Sequence, residues 1–484
     1  MKFSLPDGAF PTVRLSKSHQ DALVVEAETV VSETIAANEA FRAQGAALNS
    51  AKWRLVRVKE GLHVYCRRPT SESAKAADED RGTEAWPPQP HARTWTADRS
   101  TRHRGHVGSS KRLEATVVEP LSPSSVAAES SIQEQMRRPG VSLMVLHGIV
   151  EGTLDDSMFG AFAATDHAWK WRSSHMNDRL DDARILGTIR GPTRQDPFRF
   201  LGIKWFVKEH PAVLTGILQR RDFLILEATG LTQDSKGEKV GYFLMHSVTL
   251  RAAPELTEMN IIRGELSFCF ILRQSGHGKV NLYCRGFTDP RGNMMERVSV
   301  AIAAEALICA AGVVDYANIK KLTWLMKHKT SDMMARQRQS GRDATHSGRC
   351  ESCNKSFTKF ALIAVAAGTA AAGKGAACQI CRRVVCAKCS VVKKMTVDVS
   401  NSGAVKQCAL RFCLGCLLEA KEQSAWEMAL NTFETGPESS SIPRVGSTAA
   451  TPPPSVPHTS IKHQRHGRTY SEYQRNAYVP VFID

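Results

Sequence analysis

Eight of the thirteen cysteines in this 484-residue chain fall into four Cys-x2-Cys pairs: Cys350/Cys353, Cys378/Cys381, Cys386/Cys389 and Cys413/Cys416. Two residues between thiols let both sulfurs reach one metal about 2.3 Å away from a tight turn. Four such pairs supply eight thiolates, enough for two tetrahedral sites with no open coordination position. Closed sites of this kind hold a small domain together and do not activate water. The expected cofactors are therefore two structural Zn2+ ions. The other cysteines, Cys66, Cys269, Cys284, Cys309 and Cys408, lack a neighbour at that spacing and are expected as buried small apolar side chains.

Other chemistry is not written in the chain. It carries no GxxxxGK[ST] loop, no GxSxG elbow, no HExxH helix and no GxGxxG after a strand, so no enzyme is expected. The formal charge of +16 and pI near 9.4 call for an anionic partner, lipid headgroups or nucleic acid. Nucleic acid is the weaker choice, because the basic residues are not interleaved with aromatics and the Cys/His pattern of a DNA-reading finger is missing. The N-terminus, MKFSLPDGAFPTVRL, lacks the continuous apolar core of a secretory signal. The longest apolar stretches, Val298–Val314 and Phe360–Ala372, fall short of the roughly 20 residues that cross a bilayer. An intracellular, cytoplasmic chain is expected, and in a reducing setting cysteines favour metal over disulfides.

The elements that position these groups follow from periodicity. Residues 18–44 repeat Leu23, Val24, Ala27, Val30, Val31, Ile35 and Phe41 at helical spacing. Two short alternating runs in Trp53–Arg68 flank Glu60-Gly61 and predict a hairpin. Residues 69–139 turn to Ser, Ala, Glu, Arg, His and Pro without periodicity, a predicted disordered insertion. A strand is expected after Val141 and a helix over Asp155–Lys170. Strand-like runs then follow one another up to Asp289, predicting an antiparallel meander. From Asn293 to about His328 the pattern is helical, with a wide apolar face through Val298, Ile302, Ala306, Cys309, Ala310 and Val313. The class is α+β, a curved sheet around a helix, with an interior either filled by side chains or open to an apolar ligand. A short helix over Leu417–Thr432 is expected to end the cysteine region. Residues 433–484 read as a disordered Pro/Ser-rich basic tail, in which Pro452–Pro454 could recruit protein partners.

Two family resemblances emerge from these residues. Trp53 with LHVYCRR, the RRDF run at Arg220–Phe223, VGYFLMHSV and the long helix resemble the START lipid-transfer fold over roughly residues 20–328. The resemblance implies a helix-grip domain whose tunnel holds a lipid or sterol under the last helix. The central Cys-x2-Cys-x4-Cys-x2-Cys run, Phe357, and Arg411-Phe412 before Cys413 resemble a FYVE-type finger over about Arg349–Ala420. That resemblance implies a cross-braced pairing. Cys350, Cys353, Cys386 and Cys389 would share one zinc, and Cys378, Cys381, Cys413 and Cys416 the other. A RING finger also cross-braces two zincs, but it places a histidine among its central ligands, and none stands between Cys350 and Cys416.

FYVE fingers bind phosphatidylinositol 3-phosphate through a basic cluster with histidines before the third cysteine. Here AAGKGAAC offers only Lys374, and the acidic-aromatic motif upstream of the first cysteine is missing, although Arg411 matches a late pocket arginine. The headgroup candidates are Lys374, Arg382, Arg383 and Arg411, too few aligned donors for specific multidentate phosphate recognition. General attraction to an anionic membrane is better supported. Phe360, Leu362, Ile363 and Val365 occupy the segment that dips into membranes in FYVE fingers, beside Lys355, Lys359, Lys388, Lys393, Lys394 and Lys406. Self-packing of this run on the finger, or a protein-binding surface, is the alternative. The expected organisation is a START-like domain over 18–328, a linker over 329–348, a FYVE-related finger over 349–420 and the tail. The expected function is non-catalytic lipid binding, sensing or transfer at endomembranes. The alternative is a protein–protein adaptor whose two modules have lost lipid specificity.

Overall fold

The computed structural model describes residues 3–6, 8–10, 13–69, 131–178, 180–209, 218–340, 349–357, 376–399 and 405–435. All of them belong to one compact unit within Met1–Ile442. Helix α1 (Lys17–Ala43) starts at Ser16, whose hydroxyl accepts from the His19 N–H, and buries Leu23, Val24, Ala27, Val30, Val31 and Ile35 on one side. Strands β1 (Trp53–Lys59) and β2 (Leu62–Arg67) form the hairpin. Its turn residues Glu60 and Gly61 both take positive φ (49° and 81°), the primed turn that matches the twist of paired strands.

Residues 70–130 of the expected insertion lie outside the described residues, and its C-terminal end is ordered, a correction to the sequence reading. Helix α2 (Ile132–Met136) is capped by Ser131. The Glu33 carboxylate on α1 accepts from the Ile132 N–H at 3.0 Å, and Gln133 Nε2 donates to the Ser267 hydroxyl at 3.2 Å. One and a half turns are too short to display a period, so only these tertiary bonds mark the helix.

Strand β3 (Met144–Glu151) leads to α3 (Leu154–Ala161) and α4 (Asp166–Met176). The single helix expected over Asp155–Lys170 is therefore two. Thr153 closes a capping box with Asp156, and Thr165 begins a second helix by accepting from the Ala168 N–H. Strands β4 (Leu180–Arg190), β5 (Phe200–Lys208), β6 (Arg220–Gln233), β7 (Lys239–Ser247), β8 (Ile261–Arg263), β9 (Glu265–Gln274) and β10 (Lys279–Asp289) follow. They join the hairpin in one sheet of order β1-β2-β3-β10-β9-β7-β6-β5-β4, with antiparallel neighbours throughout, and β8 pairs parallel with the start of β6. The convex face packs on α1 through Leu201, Ile203, Trp205, Leu224 and Leu226, while the concave face packs on α3 and the C-terminal helices. With both faces covered, the central strands are apolar almost without interruption, and β5 is buried over its whole length up to Val207.

The long helical run expected from Asn293 is also divided. Helix α5 (Glu296–Ile308) passes through a 3-10 turn at Cys309–Gly312 into α6 (Val313–Ser340). The expected linker is thus helical as far as Ser340, and residues 341–348 lie outside the described residues. The continuous stretch Glu296–Lys329 is long and apolar enough by composition to cross a bilayer, a correction to the limit drawn from Val298–Val314 alone. In this fold that apolarity is used internally: Val300, Ala303, Ala304, Leu307 and Ile308 are buried against the sheet.

The cysteine region adds the short pair β11 (Ala376–Ala377) and β12 (Val384–Val385), the hairpin β13 (Ser390–Val399) and β14 (Val405–Cys413), and helices α7 (Leu414–Glu422) and α8 (Ala425–Thr435). The helix expected over Leu417–Thr432 is broken where the Ser424 hydroxyl accepts from the Glu427 N–H and starts α8. Helix α8 returns to the body. Ala425, Met428 and Ala429 enter the inner core, and Trp426 meets Phe198 edge-on with centroids 5.7 Å apart.

Helices α3 and α6 approach most closely at Gly160, where an added Cβ would lie 2.0 Å from the Val313 carbonyl oxygen. No flexible side chain can yield there. Gly160→Ala is expected to lower stability by about 3 kcal/mol through overpacking. Urea unfolding of the variant measures this, and an unchanged midpoint would contradict the crossing described.

Candidate functional site

In the finger, the sulfurs of Cys350, Cys353, Cys386 and Cys389 all lie within 4.8 Å of one another, as do those of Cys378, Cys381, Cys413 and Cys416. The first pair meets the third and the second meets the fourth. A tetrahedron with arms of about 2.3 Å has edges of about 3.8 Å. The Cys353–Cys386 and Cys381–Cys413 sulfur separations, 3.8 and 3.7 Å, have that length. Backbone amides point at the sulfurs as they do toward thiolates: Cys386 N–H donates to Cys350 Sγ at 3.2 Å and Cys413 N–H to Cys378 Sγ at 3.3 Å. Turns supply the spacing. Arg382, at φ 60°, folds the chain back after Cys381, and Cys413 closes β14 while its Sγ accepts from the Cys416 N–H at the start of α7. Two closed four-thiolate sites fit a divalent metal that prefers sulfur. Of the remaining cysteines, Cys66, Cys269 and Cys284 are buried, whereas Cys309 and Cys408 are only half-buried, a correction to the reading of all five as core.

Among the headgroup candidates, Arg411 donates to the Ser390 hydroxyl at 2.8 Å and Arg382 to the Gln379 side chain at 3.4 Å, so both are engaged within the finger. Arg383 is exposed. Lys374, Phe360, Leu362, Ile363 and Val365 lie outside the described residues.

The second feature is a cavity of about 180 Å³ between the concave face and α5. Its floor is aromatic, with Phe206, Phe223, Phe243, Phe268 and Phe270 projecting from alternate positions of neighbouring strands. Its roof mixes the small residues Ala303, Ala306 and Ala310 with Ile302, Leu307 and Val313 along the helical run. Small side chains opposite large ones at this separation leave the space open. The sequence reading singled out Ala306 and Ala310 on this face but not their aromatic partners. The alternation of Phe206, Phe223 and Phe268 within apolar strands was the signal.

One end of the cavity is polar, and helix α3 explains why. A helix leaves its last carbonyls without intrahelical donors, and here those carbonyls are buried. Lys320 on α6 donates to Phe159 O at 2.6 Å and Phe162 O at 3.4 Å, Arg172 on α4 donates to Ala161 O, and Lys204 on β5 donates to Ala163 O at 2.8 Å. Cations at a helix C-terminus also meet the negative end of its dipole. Glu227 on β6 lies between two of them, 2.6 Å from Lys204 Nζ and 3.3 Å from Arg172 Nη2. Burial alone would raise the Glu227 carboxyl, but Arg172 and Lys204 outweigh it and hold it below the usual value. Burial pushes Lys204 down to about 8 against the pull of Glu227, and pushes Lys320 down to about 7 with help from Arg172. Arg172, Glu227 and Ser173 all line the cavity. The Ser173 hydroxyl is buried, with its residue 6% exposed, and has no hydrogen-bond partner among the described residues.

Cavity and finger share walls. On α4, Arg172, Ser173 and Met176 line the cavity, whereas Trp171, Ser174 and His175 serve the finger. Ser174 Oγ is 2.7 Å from Thr396 Oγ1, and the Thr396 N–H donates to His175 Nε2 at 3.2 Å. Burial pushes His175 down to about 4, so it is neutral at pH 7 and can accept that bond. On α6, Tyr316, Ile319, Leu322, Leu325 and Met326 pack in one cluster with Cys350, Cys378, Cys413 and Cys416. Lys321, 1% exposed, pairs with Asp156 at 2.6 Å and donates to the Lys421 carbonyl at 3.2 Å, tying α3, α6 and α7 together.

Lys320 makes stability depend on pH. Its folded value near 7 lies below the 10.5 of the unfolded chain, so between these values the unfolded state holds more protons. The penalty of burying its charge is fully present below about pH 7 and is relieved as pH rises. Between about pH 7 and 9 the wild type should gain on the order of 1 kcal/mol relative to Lys320→Met, discounted because the side chain is only half-buried. Paired urea titrations at the two pH values check this, and parallel pH profiles would contradict it.

No protein-family model and no curated protein matches this chain. Solved structures do. Human STARD10 is similar over 60% of this chain and 81% of its own, at 12% identity and a TM-score of 0.33. Human StAR-related lipid transfer protein 5 covers 61% of this chain and 96% of its own, at 14% identity and a TM-score of 0.33. A STAR-related lipid transfer protein from Xanthomonas axonopodis covers 54% and 96%, at 9% identity and a TM-score of 0.29.

Proposed function

We propose that this chain binds a lipid or sterol in the apolar cavity and carries it to or from an anionic endomembrane surface, without catalysing a reaction. The observation that carries the reading is the cavity of about 180 Å³, lined mostly by aromatic and aliphatic side chains with a few polar ones such as Arg172, Ser173 and Glu227. Water needs about 10–15 Å³ and two to four polar partners per molecule. Space is ample here, but partners are scarce over the aromatic floor, so an apolar body bearing a polar group fits better than a water cluster. Lys204 and Glu227 already satisfy each other at 2.6 Å, which favours a binding role over acid–base work.

In the same reading the two four-thiol clusters hold Zn2+, which supplies a structural cross-link and no reactive position. The finger's exposed Arg383, Lys388 and Lys394 give it the sign needed for an anionic surface. The apolar run at Phe360–Val365 supplies the inserting segment.

Native mass spectrometry of the full chain is expected to show two zinc ions and one copurified lipid. Ala306→Phe, which fills the cavity from its roof, should retain the zinc and lose the lipid. A wild type that takes up no lipid after incubation with vesicles would overturn the proposal. Polar substitution of residues 361–365 should weaken cosedimentation with anionic vesicles several-fold, and unchanged binding would remove the membrane role of that segment.

Chelation tests the finger's place in the fold. Because α4 and α6 serve both sites, stripping the metal should lower the melting temperature of the sheet domain as well as unfold the finger. Circular dichroism melts with and without chelator report this, and an unmoved sheet transition would mean that the finger only rests on the body.

A further inference from the structure

Charge is unevenly distributed at the polar end of the cavity. Arg172 and Glu227 line it and pair with each other, Lys204 pairs with Glu227, and Lys320 donates to the end of α3. The C-terminus of α3 offsets about half a charge more. Asp166, the next acidic group acting on Lys204, spends Oδ1 on the Ile185 N–H. Burial depresses Lys204 and Lys320, with Arg172 adding to it, while Glu227 pulls Lys204 the other way.

The cations differ in what they can still offer. Lys204 is committed to Glu227 at 2.6 Å and to Ala163 O. Lys320 is committed to the two carbonyls of Phe159 and Phe162 and sits 4.0 Å from the Phe159 ring centroid. Arg172 is anchored by Nη1 to the Ala161 carbonyl, and only its contact with Glu227 is long. Its two nitrogens approach Glu227 at 3.4 and 3.3 Å, whereas charge-assisted bonds settle at about 2.7–2.9 Å. Since Glu227 keeps Lys204, another acid could take the Arg172 fork without stranding a buried carboxylate. The next residue on α4, Ser173, contributes to the same cavity wall a buried hydroxyl with no partner among the described residues. Elsewhere in the lining, Lys208 is paired with Asp178, and Arg221 donates to the carbonyls of Gln219, Pro290 and Arg291.

We infer that the ligand of this cavity carries a single acidic group, a carboxylate of the fatty-acid kind, at the end of its apolar body, received by the Arg172 guanidinium and the Ser173 hydroxyl. The assignment rests on the cavity-binding reading above and narrows it from lipids in general to anionic amphiphiles. A neutral alcohol would use Ser173 alone and leave the Arg172 guanidinium with only its long contacts to Glu227.

The test is calorimetric titration of the full, metal-loaded chain with decanoate and with decanol, which share an apolar chain and differ in charge. Decanoate should bind at least about tenfold more tightly than decanol, the worth of one charge-assisted hydrogen bond. Ser173→Ala removes a hydroxyl that has no protein partner to lose, so it should fold normally and weaken decanoate several-fold. Arg172→Met should erase the preference for the acid while decanol still binds, with circular dichroism confirming the fold. Equal affinity for acid and alcohol in the wild type would overturn the assignment and leave the cavity reading standing. So would a decanoate affinity that survives Ser173→Ala unchanged. Binding of neither molecule would overturn the cavity reading, and this assignment with it.

Discussion

The carbonyls at the end of a two-turn helix organise much of this molecule. Helix α3 terminates inside the protein, where water cannot supply the donors that its last residues lack. Arg172 from α4 and Lys320 from α6 supply them, and Lys204 from β5 serves the Ala163 carbonyl just beyond the helix. Each arrives with a charge, so burial of the helix end imposes burial of the cations. Glu227 and the rings of Trp169 and Phe200, 4.7 and 4.6 Å from Lys204 Nζ, make that tolerable. The polar end of the cavity is a consequence of this capping. It exists because a helix stops there, and its chemistry is what the capping leaves unspent.

The same arrangement fixes the finger. Lys320 and Lys321 are neighbours on α6 and point to different tasks, the first to the end of α3 and the second to Asp156 at its start and to the Lys421 carbonyl in α7. Helix α6 is thereby held at both ends of α3, and its next turns present Ile319, Leu322 and Met326 to the thiol clusters. A four-thiolate site contributes folding energy when its metal binds. In this fold that energy is delivered to helices that also wall the cavity, because α4 faces both ways within one turn.

The sequence disclosed much of this and concealed the rest for identifiable reasons. Cys-x2-Cys spacing is a local constraint, so all eight clustered thiols were visible without a structure. The runs that became β5, β6, β7, β9 and β10 were visible because β-branched and aromatic residues concentrate between turn signals. Helix breaks were not, since Phe162 and Ala163 between α3 and α4 look no different from helix interior, and the 3-10 turn at Cys309–Gly312 is marked only by a single glycine after two alanines. Helix α2 was hidden because Glu33 and Ser267, which hold it, lie far away in the sequence. The polar end of the cavity was hidden for the same reason: Arg172, Ser173, Lys204, Glu227 and Lys320 meet only when the sheet has curved around the helices.

Why the cavity persists is the last point. An apolar void costs the contacts that its lining forgoes, and a fold free to relax would let α5 settle toward the aromatic floor. Ile302, Leu307 and Val313 hold part of the roof off the floor, but over the alanines at 303, 306 and 310 the helix could approach, so restraints on the helix matter there. Restraints lie at the middle and the far end of the helical run. Near its middle Arg57 on the edge strand pairs with Glu305 at 2.7 Å. Beyond the 3-10 turn, Val313 sits against Gly160, and α6 is held by Lys320, Lys321 and the finger. A helix pinned in this way bridges the floor as a beam does, and the space beneath it is a property of the frame. Filling that space with a ligand restores the missing contacts without moving the supports, which is the condition for a site formed before its ligand arrives.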